Sequence, residues 1–264
     1  MSLELSTAID NAEFMLANAI PAFAAGTLGE LDHAHAIGTT YRSRGISELL
    51  LGGVVQPLHL AQMQSTSAYA FGLRRSTNDD EKVTSLAGCF WDAVSAQYWD
   101  AAREIATLSR MSHNPSREHE DDYLYVAFLM QRYFLDAPAD EQQQLLDRWT
   151  VVLEGNLDPR HDLCRALRGG DQGAFEAAIV TMSDNREAEL LRRHKQQKLT
   201  AEQMAWLLPV WPEGLALLRL AERDGMSLGG LVVPRVPPMM CADNVFAYHP
   251  DAWRSLDFQP TKRP

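Results

Sequence analysis

The stretch ALRGGDQGAFEAA, at residues 166–178, carries the signals that end one helix and begin the next. The pair Gly169-Gly170 is typical of the C-terminal end of a helix, where a left-handed backbone conformation favours glycine. Asp171 is one of the residue types that cap the first turn of a following helix. The stretch therefore predicts two antiparallel helices joined by a short turn, the second of which continues to about Lys198.

The same kinds of signal recur along the chain. Asp158-Pro159 is a cap followed by a proline, Thr200 and Gln203 have the spacing of a capping box, and Pro212 begins the last clear helix. The chain has 34 leucines and 33 alanines but 13 valines and 6 isoleucines, a composition that favours helices over strands. We therefore predict an all-α protein built from antiparallel helical hairpins.

The pattern also predicts where helices stop and which side chains face water. We expect the first helix to stop near Pro21 and one long helical region to cover residues 78–108. The glutamines at residues 142–144 should face water. Beyond Gly225, Pro234, Pro237 and Pro238 forbid a continuous helix, so we expect an irregular segment whose aromatic side chains pack across the helices.

The length of 264 residues allows one large domain or two small ones. No stretch of the sequence is long enough to serve as a linker between two domains. We predict a single helical domain over residues 1–264. The alternative is a division near Asn114, because Asn114-Pro115-Ser116 is typical of a loop.

The charge of the chain limits the partners that it can bind. Acidic residues outnumber basic ones 35 to 24, which gives a net charge of -11. This charge repels nucleic acids and anionic membranes, so we expect neither as a partner and favour a basic macromolecule.

Two other features predict where the protein works. Cys89, Cys164 and Cys241 are odd in number and far apart, which favours neither a disulfide framework nor a zinc site. The sequence shows no export signal and no apolar run of membrane-spanning length. We therefore expect a cytoplasmic protein.

Two patterns resemble catalytic sites, but neither has the context that its chemistry needs. Gly225-Met226-Ser227-Leu228-Gly229 matches the G-x-S-x-G elbow of hydrolases, yet a predicted helix precedes Ser227 where the elbow requires a strand. His119, His161, Asp162 and Asp184 are ligand types of helical metal-dependent phosphohydrolases, but a metal site needs all four at one cation, which sequence spacing cannot show. We predict no catalytic residue, no metal and no cofactor, and therefore no enzyme.

Negative charge is concentrated in one segment of the chain. Eleven acids and three arginines lie between Glu118 and Asp162, a local charge of -8. A solvated face with acidic helix N-termini would explain this excess, and so would a docking surface steered towards a basic partner. The second interpretation assigns these residues to partner binding: Glu118, Glu120, Asp121, Asp122, Asp136, Asp140, Glu141 and Asp147.

Several segments are similar to a known family. The run at residues 166–178 resembles the "AL-x-x-GD-x-x-AF-x-x-AL" joint of the immunity protein 49 family of bacterial polymorphic toxin systems. Residues 215–225 and 233–235 resemble the closing helix of that family and the Pro-Arg pair that follows it. The resemblance extends loosely over residues 31–240.

The resemblance implies an all-helical cytoplasmic protein that binds a toxin encoded beside it and blocks it without chemistry of its own. Toxins of such systems, including those delivered by type VI secretion, are frequently nucleases, so the resemblance implies that the protein covers a basic substrate-binding surface. Two alternatives stay open: a helical-repeat adaptor of another assembly, and a metal-dependent helical hydrolase.

Overall fold

The computed structural model describes residues 2–26 and 30–263. This part of the chain contains eleven α-helices. In chain order they are α1 (Ser2–Ala24), α2 (Glu30–Gly52), α3 (Gln56–Arg75), α4 (Gly88–Ser95), α5 (Trp99–Leu108), α6 (Glu120–Tyr133), α7 (Ala139–Val152), α8 (Pro159–Gly169), α9 (Gln172–Lys195), α10 (Ala201–Leu207) and α11 (Pro212–Arg223). Extended pairing among the described residues is limited to a bridge between Phe246 and Lys262, so the predicted all-α class is confirmed.

The first three helices pack against one another, with α2 in contact with both α1 and α3. The close approach of α2 and α3 depends on Gly45. A Cβ atom at this position would lie 2.4 Å from the Ala61 Cβ and 3.2 Å from the Leu58 Cα. Because the first distance is too short for real atoms and the second is tighter than most, a larger residue at position 45 would push the two helices apart.

Helix α4 lies at the centre of the fold, in contact with α2, α3, α5 and α11. Every residue from Cys89 to Ser95 is buried, including Asp92. The Asp92 carboxylate accepts hydrogen bonds from Arg42 Nε at 2.8 Å and from the Ser65 hydroxyl at 2.5 Å. A buried carboxylate is stable when it is paired in this way, and the pairing joins α2, α3 and α4.

The second half of the chain continues the same core. α6 contacts α5, α7 and α8, while α8 packs along α9. Helix α10 contacts α1, α2 and α9, so this part of the second half packs against the N-terminal helices. A continuous cluster of buried hydrophobic side chains extends from Leu5 in α1 to Trp253 beyond α11.

The segment after α11 is irregular and packs across the helices, as its prolines predict. Trp253 is fully buried, and its carbonyl accepts a hydrogen bond from the Tyr41 hydroxyl at 2.7 Å. The Asn244 side chain donates to the Ala96 carbonyl at 2.8 Å. These contacts hold the segment against α2 and the end of α4.

The predicted end of the first helix is wrong, because α1 continues through Pro21 to Ala24. Proline removes a backbone donor and leaves one carbonyl of the preceding turn without its helical partner. Pro21 and Ala17 both lie on the exposed side of α1, where water can satisfy that carbonyl.

The prediction of one helical region over residues 78–108 is also wrong. The structure has a short 3-10 turn at Asp79–Glu81, followed by the separate helices α4 and α5. The Asn78 side chain caps the Asp80 amide at 3.0 Å and so begins a tight turn instead of a long helix. Gln97 has a φ of 59°, a left-handed conformation that ends α4. Glutamine is uncommon in this conformation, so the break has no signal in the sequence.

Among the glutamines at residues 142–144, Gln142 is buried, contrary to the prediction. Its Nε2 donates to the Ala137 carbonyl at 2.8 Å, and its Oε1 accepts from Arg132 at 3.3 Å. Because both ends of the amide are satisfied where α6 meets α7, the side chain is stable away from water.

The joint at residues 166–178 has the predicted structure. Gly170 has a φ of 68° at the end of α8. The Asp171 carboxylate accepts a hydrogen bond from the Ala174 amide at 3.0 Å and thereby caps α9. The two helices form a hairpin whose turn is fixed by these two residues.

Replacing Gly170 with alanine should lower the free energy of unfolding by about 1 kcal/mol, because a Cβ atom is strained at this positive φ. Gly169 is the matched control, since it lies in the last helical turn and a Cβ there has no neighbour within 4 Å. Gly169→Ala should therefore be neutral or slightly stabilising. Urea unfolding measures both effects, and equal losses in the two variants would contradict the left-handed cap.

We propose that the chain unfolds as one unit. The continuous core supports this, and so does the loop at the alternative boundary, where the buried Asn114 donates to the Asp80 carbonyl at 3.0 Å. Differential scanning calorimetry should give one transition whose calorimetric and van't Hoff enthalpies agree. Two resolved transitions would instead support a division near Asn114.

Candidate protein-binding surface

The first turn of α6 meets the start of α8 at a single arginine. Arg160 Nη2 lies 2.8 Å from Asp121 Oδ2 and 2.7 Å from Asp158 Oδ2, and Arg160 Nη1 donates to Asp122. Asp158 also caps α8 by accepting the Arg160 amide at 2.9 Å. We call these four residues the Arg160 cluster. Its members Asp121 and Asp122 belong to the predicted binding residues, and both carboxylates are engaged within the fold.

Aromatic side chains pack around the Arg160 cluster. The Arg160 guanidinium lies 5.6 Å from the centre of the Tyr125 ring and 5.9 Å from that of Trp149. The Tyr125 hydroxyl donates to Glu213 at 2.8 Å. Burial and the Glu213 carboxylate raise the pKa of Tyr125 well above its ordinary value, so the hydroxyl stays protonated and remains a donor. The cluster and its aromatic neighbours thus connect α6, α7, α8 and α11.

Glu118 and Glu120, which are also predicted binding residues, make contacts within the fold. Glu118 accepts hydrogen bonds from the Ser85 amide at 2.8 Å and the Asn114 amide at 3.2 Å. Glu120 pairs with Arg148 of α7. Substituting either residue would therefore change stability as well as any binding.

The other four predicted residues, Asp136, Asp140, Glu141 and Asp147, are exposed. Asp136 pairs with Arg103 at 3.0 Å, and Asp147 accepts a hydrogen bond from a neighbouring glutamine of α7 at 2.6 Å. The Asp140 and Glu141 side chains have no ion-pair partner in the part of the chain that the structure describes. Carboxylates in this state are available to a partner.

Helix α7 presents an exposed stripe that contains Asp140, Asp147 and Val151, because spacings of seven and eleven residues return to the same face of a helix. The stripe leads to the turn at residues 153–158, which we call the α7–α8 turn. Leu157 in this turn is 93% exposed, and Val151 is 75% exposed. Leu157 is not among the binding residues predicted from the sequence, although it is a large apolar residue in the turn sequence Gly-Asn-Leu-Asp-Pro.

Two grooves meet at Leu157. The first, which we call the α8–α9 groove, has a volume of about 690 Å³ and contains Asp162 and Arg165 in its walls. The second, the Arg186 groove, has a volume of about 570 Å³ and is lined by Arg186, Trp211 and part of the Arg160 cluster. Leu157 and Pro159 lie in the walls of both grooves.

Arg186 of α9 is a fixed cation in the second groove. Its Nη2 donates to the Leu207 carbonyl at 2.6 Å and to the Val210 carbonyl at 3.2 Å. Burial lowers the pKa of Arg186 to about 10, and the Glu213 carboxylate opposes this change. The guanidinium is therefore protonated at neutral pH, where it holds α9 to the connection between α10 and α11.

The residues that resemble hydrolase sites in the sequence do not form a common site in the structure. His161 is buried against Trp149, whereas Asp162 faces the α8–α9 groove. Within residues 2–26 and 30–263, no three His, Cys, Asp or Glu side chains are positioned to hold a metal ion together. Ser227 lies in the loop after α11, where its amide donates to Gln172 at 3.0 Å and no strand precedes it.

A family model described as Immunity protein 49 matches residues 48–230, which are 183 of the 264 residues. The chain belongs to the immunity protein 49 family. The matched part begins in α2 and ends beyond α11, so it includes the Arg160 cluster, both grooves and the joint between α8 and α9. No curated protein and no solved structure gave a significant match.

Membership of this family identifies the chain as an immunity protein, and a cognate toxin is the partner that the family implies. The resemblance expected from residues 166–178 is thereby confirmed. None of the helices in the described residues combines the length and the apolar character that a bilayer span requires.

Replacing Arg160 with methionine should lower the free energy of unfolding by about 2–3 kcal/mol, because Asp158 is buried and would lose its counter-charge. The matched control is Arg192→Met in α9, which removes an exposed ion pair with Glu189 and should lower the free energy of unfolding far less. Chemical unfolding of both variants gives the comparison. A loss at Arg160 no larger than the loss at Arg192 would show that the cluster does not stabilise the fold.

Proposed function

We propose that this immunity protein binds a secreted toxin in the bacterial cytoplasm and neutralises it by covering the toxin's surface, without a reaction of its own. Membership of the immunity protein 49 family supports the role. An exposed leucine between two grooves supports binding to a protein, since apolar anchors that enter pockets contribute much of the affinity of protein complexes. A toxin delivered by a system such as type VI secretion would meet the protein in that compartment.

We further propose that the toxin is a nuclease. A nuclease must present lysines and arginines to phosphate groups, so its substrate-binding surface is basic. This chain has a net charge of -11, and the observation that carries the proposal is the row of exposed carboxylates on α7, of which Asp140 and Glu141 have no ion-pair partner among the described residues. Covering a basic surface with such a face would exclude the substrate without contact with the catalytic residues.

Exposed carboxylates act mainly on the rate at which two proteins meet. Charges at the rim of an interface steer the encounter and change the association rate, whereas the desolvated centre determines dissociation. We therefore assign the steering role to Asp140, Glu141 and Asp147. The paired acids of the Arg160 cluster, with Glu118 and Glu120, add to the overall field but are needed inside the fold.

The test neutralises the three α7 carboxylates together, as Asp140→Asn, Glu141→Gln and Asp147→Asn. Association with the toxin domain encoded by the adjacent gene should slow about three- to tenfold at low salt, and its salt dependence should become weaker. Dissociation should change less than twofold. Stopped-flow fluorescence or surface plasmon resonance at low and high salt measures both rates.

A control variant removes the same charge elsewhere, as Asp10→Asn, Asp100→Asn and Asp257→Asn, three acids that are exposed on other parts of the molecule. The association rate of this control should fall by less than half of the decrease measured for the α7 variant. Equal slowing in both variants would show that only the net charge affects association. It would reject the steering role of the α7 carboxylates. Failure of the unmodified chain to bind the toxin, or to stop its cleavage of nucleic acid, would reject the proposed function.

A further inference from the structure

We propose that the α7–α8 turn is the apolar anchor of the toxin interface, with Leu157 entering a pocket of a partner surface that carries lysines or arginines around it. This inference rests on the proposed function for the nature of the partner. Beyond that function, it names the residue that is buried at the centre of the interface and the carboxylates that surround this residue.

Leu157 is held in place on both sides. The Asn156 amide donates to the Leu153 carbonyl at 2.8 Å, and the Asn156 side chain donates to the same carbonyl at 2.9 Å. On the other side, Asp158 is bound by Arg160 and caps α8. An apolar side chain on a fixed backbone loses little conformational freedom when it is buried, so its contacts contribute more fully to affinity.

The surroundings of Leu157 suit a partner that closes around it. The α8–α9 groove lies on one side and the Arg186 groove on the other, so a partner can place side chains in both while it encloses the leucine. Val151, which is 75% exposed, lies at the end of α7 and extends the apolar contact towards the carboxylates of that helix. This arrangement matches an interface with a desolvated centre and a polar rim.

The charge around the anchor identifies the kind of partner. Glu154, Asp162 and Asp184 are exposed near the two grooves, and none of them has an ion-pair partner within the residues that the structure describes. The bases outside the Arg160 cluster are Arg165, which is exposed, and Arg186, whose guanidinium donates to backbone carbonyls. The Arg160 guanidinium is already bound to three carboxylates, so acids outnumber bases around the two grooves. The rim is therefore acidic.

An acidic rim favours one occupant over the others. A second copy of this chain would bring its own carboxylates against the same residues, and a nucleic acid would bring phosphates, so both would be repelled. A protein surface with lysines and arginines around an apolar pocket would be attracted by the rim and would bury Leu157. The basic surface of a toxin has this chemistry.

The direct test replaces the anchor without changing charge. Leu157→Ser should raise the Kd for the toxin domain encoded by the adjacent gene at least about tenfold, chiefly through faster dissociation. Val232→Ser is the matched control, because Val232 is 84% exposed and lies in the segment after α11. Val232→Ser should leave the Kd within twofold of the value for the original chain. Both residues are exposed, so both variants should keep the circular dichroism spectrum and the unfolding midpoint of the original chain.

A second variant tests the rim, with Glu154→Gln, Asp162→Asn and Asp184→Asn combined. Its association rate should fall at least threefold at low salt and approach that of the original chain at high salt, while dissociation changes little. The variant with neutral residues at positions 10, 100 and 257 serves as the control. An unchanged association rate at every salt concentration would overturn the assignment of a basic partner surface.

The two proposals fail in different ways. If the unmodified chain does not bind the toxin, the proposed function is wrong. If it binds and Leu157→Ser binds equally well, the function stands and the anchor is elsewhere. A stable dimer of the chain that is abolished by Leu157→Ser, detected by sedimentation velocity, would show that the turn contacts a second copy and would overturn the anchor proposal.

Discussion

The pairing of Arg42 with the buried Asp92 is the interaction on which the arrangement of the first helices depends. Asp92 is fully buried in α4, and Arg42 Nη2 lies 2.7 Å from its carboxylate. A buried charge without such a partner would be strongly destabilising, so the position of α4 is restricted to one that brings Asp92 to α2 and α3. Because α4 also contacts α5 and α11, this restriction extends to the second half of the chain. The Arg160 cluster has the same role there, where it joins α6 to α8 and, through its aromatic neighbours, to α7 and α11.

Local sequence signals were sufficient to predict those parts of the fold that depend only on residues adjacent in sequence. The left-handed Gly170, the Asp171 cap and the capping box of Thr200 with Gln203 all formed as expected, because each needs only a few adjacent residues. Two of the errors concern residues whose conformation depends on contacts between different elements. Gln97 adopts its left-handed conformation between α4 and α5, where its side chain donates to Asp243 at 3.1 Å. Gln142 is buried because Arg132 and the α6–α7 turn satisfy its amide. No spacing within either segment indicates these contacts.

The candidate site also combines features that the sequence predicts with features that depend on packing between helices. Composition was enough to locate the excess of acid in residues 118–162, but it could not tell which carboxylates are engaged. Arg160 is separated from Asp122 and Asp121 by 38 and 39 residues, so their pairing requires the packing of α6 against α8 to be known. The same segment therefore contains acids that hold the fold together and acids on α7 that are available to a partner. Leu157 could have been noticed as an apolar residue in a polar turn, although its exposure of 93% is known only from the structure.

This division of the acids explains how attraction and recognition can be separated in one surface. In the proposed interface, carboxylates on α7 and around the two grooves attract any cationic protein, so they raise the rate of encounter without selecting a particular toxin. Selection of one toxin then depends on groups whose fit is a matter of shape, and in the proposed interface these are Leu157 and the walls of the two grooves. The position of Leu157 in turn depends on Asp158, which the Arg160 guanidinium fixes at the start of α8. In the proposed interface, ion pairs inside the fold thereby set the geometry of the apolar anchor, while exposed charges control how fast a partner reaches it.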